Sequence, residues 1–527
     1  MLETDKRQKR TDHERNILAA AKGAGITFTG KVVQTLLSLG FIIIMARLLG
    51  AEQYGMYRLA ITIVVITVGV SMLGIDGGLK RFIPIARREH NEAKIWGMIR
   101  FGFGIPAAVG LALAAGIAIA ADPIASGLFN SPGLVPVLRL SCLTIPVLVL
   151  ANCFSSVAIG YRKVEYDAYT QDIGLEAIKL VLSLIAVLLG FGVLGAAGAN
   201  VIASVLSLLI LIYLVKRLLP PMRREKLSIQ NRRELLHFSL PLFLSVLLNQ
   251  FGRRLETLVL GVFGVIAEVG IYSALLSITA VGTLANIAMR QISTSIISEL
   301  HSENRIDELR KYYQTITKWA VTFNLPVFLV TVMFSESILQ LLGQEFAVGA
   351  AGLIVLAIGN MFDASTGGCG TMINYTGFSR VTFYNSMVYL ISSIILDLLL
   401  IPTWGLIGAA WAGALTLIIV NTMRLVEVYV LINRILPFNI SFLKPLAAAM
   451  LAGGVTYWLR QVVLVEEPII QLFVLAPVMC ALYVLVIIKL KLSHEDRLVV
   501  DRIFRRKNVK KLQEIKPETF VETHREE

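Results

Sequence analysis

The stretch GYRKVEYDAY, residues 160–169, is followed 217 positions later by GFSRVTFYNS, residues 377–386. Further matches keep nearly that offset. FGVLGAAGA from Phe191 recurs as WGLIGAAWA from Trp404, KRLLP from Lys216 as NRILP from Asn433, and GAEQYGMY from Gly50 as GVIAEVGIY from Gly264. One such match is weak, but several in the same order at one offset indicate an internal duplication. The chain is therefore read as two copies of one unit.

Composition decides which solvent those copies live in. The chain has 527 residues, of which 56% are hydrophobic and 16% charged, whereas soluble domains carry about 25% charge. Apolar spans of about 20 residues are read at 23–47, 54–75, 95–121, 134–160, 168–190 and 193–215. A second set follows at 236–263, 267–297, 313–334, 348–376, 381–401 and 405–432, and two more at 441–463 and 467–490. In lipid such runs must be helices or barrel strands, because an unpaired backbone group there costs several kcal/mol. Barrel strands alternate over about ten residues, so continuous apolar runs specify an all-α integral membrane protein of about fourteen transmembrane helices. The domains expected are a basic tail (1–22), an N-lobe (23–220), an interlobe loop (221–235), a C-lobe (236–437), a trailing helix pair (438–490) and a C-terminal tail (491–527).

Basic residues fall in alternate loops. The N-terminal tail, the loops around Lys80 to Arg88, Arg162 and Lys163, Lys216 to Arg233, Arg305 to Lys311, Arg380 and Arg434, and the C-terminal tail are basic. DPIASGLFNSPG from Asp122 and SESILQLLGQEFAVG from Ser335 have no basic residue. Lys and Arg stay on the cytoplasmic side, so both termini are expected in the cytoplasm and the span count is even. The net charge of +13 is read as this asymmetry rather than as a nucleic-acid surface. The first 22 residues mix acids with bases and do not read as a signal peptide. Cys142, Cys153, Cys369 and Cys480 are scattered through apolar runs, which indicates neither a disulfide framework nor a metal site.

Six spans per copy place both copies in the same orientation, a transporter design whose substrate site lies between the halves near the midplane. The repeat also sorts the charges. Lys163 with Arg380 and Arg217 with Arg434 recur in both copies, at loops, and serve orientation. Lys31 corresponds to Val246, Arg58 to Ser273, and Arg253 and Arg254 to Ser38 and Leu39, so the scaffold does not itself require these charges. An ionisable group at bilayer depth costs at least about 2.5 kcal/mol and marks a site by default; snorkelling to an interface and structural pairs such as Glu176 with Lys179 are the alternatives. Helical spacing adds polar stripes: Thr27, Lys31, Gln34 and Ser38; Asp172, Glu176 and Lys179; Asn249, Arg253 and Glu256; Thr279, Thr283, Asn286 and Arg290; and Asn360 with Asp363. Such stripes are expected to line a water-filled cavity. Its basic character suits an anionic cargo, and arginine suits phosphate through paired hydrogen bonds.

Twelve spans in two parallel lobes, two trailing spans and the early ARLLGAEQYGMYRLA (residues 46–60) resemble the multidrug/oligosaccharidyl-lipid/polysaccharide exporter superfamily, and within it the polysaccharide-biosynthesis flippases of the O-antigen and exopolysaccharide type. The resemblance implies a flippase in the cytoplasmic membrane that moves a polyprenyl-diphosphate-linked oligosaccharide outward by alternating access, driven by an ion gradient. It implies no resident cofactor, only a coupling proton or sodium ion. Peptidoglycan lipid II flippases are a related alternative; they carry an Arg-Asp pair where this chain has Phe41 and Ile42. A multidrug antiporter is a second alternative, although cationic drugs favour an acidic or aromatic cavity. An enzyme is not expected, since the bare loops are short and no nucleophile or phosphate loop stands out.

For such a cargo, Lys31, Arg58, Arg253, Arg254 and Arg290 are the candidates for the diphosphate, and Asn249, Thr283 and Asn286 for the sugars. Asp172, Glu256 and Asp363 are the candidates for ion coupling. A monomer is expected, among membrane lipids and other polysaccharide-assembly proteins, with no nucleic-acid partner. The orientation predicts that cysteines placed near Ser131 and Gly343 react with a membrane-impermeant thiol reagent on intact cells, while ones near Glu225 do not; the opposite labelling pattern would invert the topology.

Overall fold

The computed structural model describes residues 2–221, 229–462 and 467–490, with side chains from Gly25 onward except at 229–231 and a few positions in the seventh, eighth and eleventh segments. The basic N-terminal side chains, most of the interlobe loop and the C-terminal tail expected from the sequence lie outside the described side chains. Among the described residues there is no strand, as bilayer-depth backbone requires. Eleven helical runs are long and apolar enough to cross a membrane.

Two of these runs, of 48 and 52 residues, are about twice the length a bilayer needs. Each breaks at a glycine, Gly50 (φ 77°, ψ 171°) and Gly405 (φ 54°, ψ −128°). Side chains with a Cβ rarely adopt these angles, so each glycine marks the turn between two antiparallel segments. Numbered along the chain, the first and second segments are the halves of Leu2–Met72, the third is Glu92–Ile119, the fourth is Leu134–Cys142 continued by Thr144–Gly160, the fifth is Ala168–Gly174 continued by Leu175–Leu188, and the sixth is Gly192–Lys216. The seventh is Ile229–Phe263, the eighth Ile266–Ser302, the ninth Ile306–Met333, and the tenth Ala350–Ser365 continued by Cys369–Tyr375. The halves of Ser379–Leu431 are the eleventh and twelfth; Leu443–Val462 and Pro468–Lys489 are the thirteenth and fourteenth.

One element departs from the sequence reading. Ile75–Arg88, taken as a basic loop, is a helix. Ile75, Leu79, Phe82, Ile83 and Ala86 form its buried face, while Lys80 and Arg81 stay exposed. That spacing follows the helical period, and Arg87 and Arg88 in the last turn suit the negative end of the helix dipole. Arg81 lies 4.3 Å from the centre of the Phe238 ring on the seventh segment, tying this helix to the start of the C-lobe.

The largest core is shared by the two copies. Met45, Tyr54 and Leu59 from the first and second segments pack in one cluster with Tyr272 and Leu275 of the eighth, Leu353 of the tenth and Ala410 of the twelfth. Separate clusters fill the other ends of the lobes, around Leu79 and Leu211 and around Tyr313 and Met372. The thirteenth and fourteenth segments lie on the ninth, where Val321 and Leu325 meet Ala448, Ala452, Leu475 and Met479, and the Tyr483 hydroxyl donates to the Thr322 carbonyl at 2.9 Å.

The Gly405 break generates a stability prediction. Gly405→Val places a β-branched residue at φ 54°, which should cost about 1–3 kcal/mol. Gly104→Val, where a Cβ meets nothing within 4 Å, should stay within about 0.5 kcal/mol of wild type. Thermal unfolding midpoints of the detergent-solubilised variants check the difference.

Candidate functional site

Three arginines from the two copies converge. The second segment supplies Arg58, and the seventh supplies Arg253 and Arg254. The two segments pack closely, since a Cβ added at Gly261 would lie 3.2 Å from Leu59 Cδ1. On its other side the seventh segment meets the eleventh, where a Cβ at Gly252 would sit 2.7 Å from the Tyr389 ring. Arg58 and Arg253 are the charges that act on Arg254, and Arg58 acts in turn on the buried Tyr54 and Tyr57. Nε of both Arg58 and Arg254 is buried without a hydrogen-bond partner. No ion pair joins Arg253 to Glu256 among the described residues, although they stand one helical turn apart. Arg253 itself is exposed, but two partly buried cations with unused donors beside a third are costly, and an anion placed among them would relieve that cost.

Lys31, by contrast, already has a partner. Its Nζ lies 2.6 Å from Asp172 Oδ1 and donates to Gln34 Oε1 at 2.9 Å. One turn along, Ser38 Oγ donates to Glu176 Oε2 at 3.1 Å, and Lys179 pairs with the same carboxylate oxygen at 2.6 Å. The first and fifth segments are thus joined by one ion pair and one hydrogen bond, with Lys179 neutralising Glu176 from within the fifth segment. Asp172 sits in the π-helical opening of the fifth segment, Ala168–Gly174, a local widening frequent at functional sites. Lys179 also lies 4.7 Å from the centre of the Phe41 ring.

The third group lies inside the C-lobe. Asn286, Arg290 and Asp363 line a recess of about 350 Å³ together with Ser293, Gly367 and Thr371. Asp363 accepts from Asn421 Nδ2 at 3.0 Å and from Asn286 Nδ2 at 3.5 Å, while Asn324 Nδ2 donates to Asn286 Oδ1 at 3.4 Å. Arg290 is exposed. The Thr283 hydroxyl donates to the Ala280 carbonyl within its own helix at 2.7 Å. The Asn249 side chain lies outside the described residues. Glu256 is buried, and the charges acting on it are those of Asp397 and Arg253. Asp397 is wholly buried; it accepts from Ser393 Oγ at 3.1 Å, and its other oxygen has no partner.

The single stripe-lined cavity read from the sequence therefore resolves into an interlobe arginine group, a set of paired charges in the N-lobe and an amide–carboxylate network in the C-lobe. Asp397, Asn324, Asn421 and Arg424, whose guanidinium lies 3.7 Å from where a Cβ at Gly370 would sit, were missed. Asp397 and Arg424 are ionisable residues inside apolar segments, so comparison of the two copies along the eleventh and twelfth segments would have returned them. The asparagines carry no charge and give no comparable signal.

The architecture is that of a two-lobed membrane transporter. It superposes on the lipid II flippase MurJ in an inward closed conformation with a TM-score of 0.70 at 16% identity, covering 92% of this chain and 99% of that one. It superposes on an inward-facing multidrug resistance MATE family transporter of the MOP superfamily with a TM-score of 0.63 at 17% identity, covering 78% and 98%. In sequence, residues 20–281 match the polysaccharide biosynthesis protein family and residues 241–399 match MatE. The two family matches together place the chain among the transporters of the multidrug/oligosaccharidyl-lipid/polysaccharide exporter superfamily, and its long apolar helices make it a multi-pass membrane protein.

Named relatives agree with that placement. The chain is 26% identical over 210 residues to the capsular polysaccharide biosynthesis protein CapF of Staphylococcus aureus, covering 40% of this chain and 52% of CapF. It is 24% identical over 200 residues to the probable low-salt glycan biosynthesis flippase Agl15 of Haloferax volcanii, covering 38% and 42%. It is 24% identical over 331 residues to the succinoglycan biosynthesis transport protein ExoT of Rhizobium meliloti, covering 61% and 63%. The matches thus span about half the length of these relatives.

The Lys31–Asp172 contact separates structure from function. Lys31→Met alone should destabilise the protein by less than the ~3–5 kcal/mol of a fully buried pair, because the Lys31 side chain is 40% exposed. Adding Asp172→Asn should return most of that stability. Transport that stays lost in the stable double variant would assign the pair a role beyond folding, and recovered transport would make it structural.

Proposed function

We propose that the protein is a flippase that carries a polyprenyl-diphosphate-linked oligosaccharide, an O-antigen or exopolysaccharide repeat unit, from the cytoplasmic to the outer leaflet by alternating access of its two lobes. The observation that carries this reading is the convergence of the exposed Arg253 with Arg58 and Arg254, whose Nε donors are buried and unused. A diphosphate entering a membrane protein must exchange its hydration for donors of this kind, and planar guanidinium groups supply them in pairs. The sugars find amide and hydroxyl partners in the asparagine network and at Thr371, while the lipid tail stays in the bilayer. Termini on the cytoplasmic side put the basic loops on the face from which the cargo is loaded. The protein moves its cargo and makes or breaks no covalent bond.

An ion gradient would drive the cycle. Glu256 and Asp397 are buried carboxyls that act on one another, so their neighbourhood suits a proton or a sodium ion. Asp172 and Asp363 are less suited, being already engaged by Lys31 and by two asparagines.

Against the lipid II alternative stands Phe41, where those relatives carry charge. Here the side chain is 3% exposed, 5.7 Å from the Tyr57 ring and covered by Lys179. The multidrug alternative would place cationic drugs beside three arginines.

The test is glycan export in proteoliposomes containing a labelled lipid-diphosphate oligosaccharide. Arg253→Lys keeps the charge but loses the fork and should lower export about tenfold, the worth of one charge-assisted hydrogen bond; Arg253→Ala should lower it further. Arg253→Gln with Glu256→Gln should remain inactive while folded and inserted. Restored export in that double variant would mean that Arg253 only neutralises Glu256, and would remove the anionic-cargo reading.

A further inference from the structure

The internal repeat gives a specific contact between the lobes. At an offset of 215, Ala51 corresponds to Ile266, Gly55 to Gly270 and Tyr57 to Tyr272. In the structure these corresponding residues face one another reciprocally. A Cβ added at Gly55 would overlap the Ile266 carbonyl oxygen, and one added at Gly270 would overlap the Ala51 carbonyl oxygen and lie 2.9 Å from the Gly55 nitrogen. The starts of the second and eighth segments thus cross backbone against backbone, each glycine of one copy under the carbonyl of the other. Tyr57 and Tyr272 are both buried just behind the crossing. No side chain larger than hydrogen fits this seam while it is shut.

A second contact lies on the seam and has no counterpart in the other copy. Glu345, in the turn Gln344–Gly349 that joins the ninth and tenth segments, accepts a hydrogen bond from the Ala51 backbone N–H through Oε1 at 2.8 Å. That N–H belongs to the start of the second segment, where the break at Gly50 leaves it without a helical partner. A Cβ at Gly50 would lie 2.9 Å from the same carboxylate oxygen. The residue at the matching offset in the first copy is Asn130, which carries no charge. A carboxylate of the C-lobe therefore caps a helix of the N-lobe, and its neighbour Phe346 seals the contact against the buried Tyr54, with ring centres 6.4 Å apart.

We propose that this seam is the gate that closes the interlobe cavity at the Gly50 and Gly264 end, and that Glu345 is the clasp that holds it shut. Glycine at 55 and 270 lets the lobes meet closely enough to exclude water and cargo. Release of the Ala51 N–H by Glu345 lets them part. The asymmetry assigns the strength of closure to one residue, so the open and closed populations are set by a single hydrogen bond superposed on a symmetric steric fit. The inference concerns motion alone and stands whether or not the cargo is a lipid-linked glycan.

Distances between spin labels at Gly127 of the N-lobe and Trp404 of the C-lobe test it, with the full chain in nanodiscs and the native cysteines replaced by alanine. Both positions are exposed. Gly55→Val should wedge the seam and move the distance distribution to longer values. Glu345→Ala should raise the long-distance fraction about tenfold, the worth of a charge-assisted hydrogen bond with a solvent-exposed acceptor. Glu345→Gln, which keeps an acceptor oxygen, should fall between Glu345→Ala and wild type. Gly104→Val, whose Cβ meets nothing, should match wild type. A label pair within the N-lobe, at Gly127 and Phe191, reports whether each variant keeps its fold. If Gly55→Val broadens that control pair, Glu345→Ala decides alone. Unchanged Gly127–Trp404 distances in a folded Glu345→Ala variant would overturn the proposal.

Discussion

The cost of an unsatisfied polar group in hydrocarbon governs this molecule. It forces the described backbone into helices, since each bond of a helix closes within its own segment. It also dictates what happens to side chains that remain polar at depth. Most hydroxyls fold back onto their own helix, as Thr67 does onto Ile63 at 2.8 Å and Thr331 onto Val327 at 2.8 Å. Charges of the N-lobe are paired, Lys31 across segments with Asp172 and Lys179 within its own helix with Glu176. Against that background the unpaired guanidinium nitrogens of Arg58 and Arg254 stand out. They belong to a small set of buried polar atoms without a partner among the described residues, which also includes an oxygen of Asp397 and the Tyr54 hydroxyl, and they are the cations of that set.

Duplication explains the shape, and departures from it explain the chemistry. The two copies break at equivalent turns, with Gly192 and Gly405 at φ 53° and φ 54°. They meet in the reciprocal glycine crossing of the second and eighth segments. Where the copies agree, the residues serve packing or orientation. Where they differ, as at Arg58, Arg253 and Glu345, charge has been added to one copy of a fold that the other copy builds without it. A pseudo-symmetric scaffold of this kind can rock between two arrangements of similar energy, because each contact broken on one side has a related contact available on the other.

Comparison with the named relatives fits this division. Similarity to MurJ and to MATE transporters extends over nearly the whole of those chains at 16–17% identity, which is what conservation of the architecture alone would leave.

The sequence by itself determined the solvent, the helical class and the two-copy plan, and it located most of the apolar segments, though the helices of the first, seventh and ninth begin well before the apolar runs do. These depend on hydrophobic runs and repeat offsets, which are local or linear properties of the chain. It also returned the interlobe arginines, because a charge that fails to repeat is visible without coordinates. It did not reveal the helix Ile75–Arg88, whose apolar face is interleaved with basic residues and read as a loop. Only the tertiary structure decided which charges were already spent: nothing in helical spacing distinguishes Lys31, paired across 141 positions with Asp172, from Arg58, whose Nε has no partner among the described residues. The asparagine network around Asp363 and the clasp of Glu345 on Ala51 were likewise invisible, since they join residues far apart in sequence through uncharged or backbone groups. Pairing in three dimensions consumes charge in a way no linear pattern records, so the sequence listed the candidates and the packing chose among them.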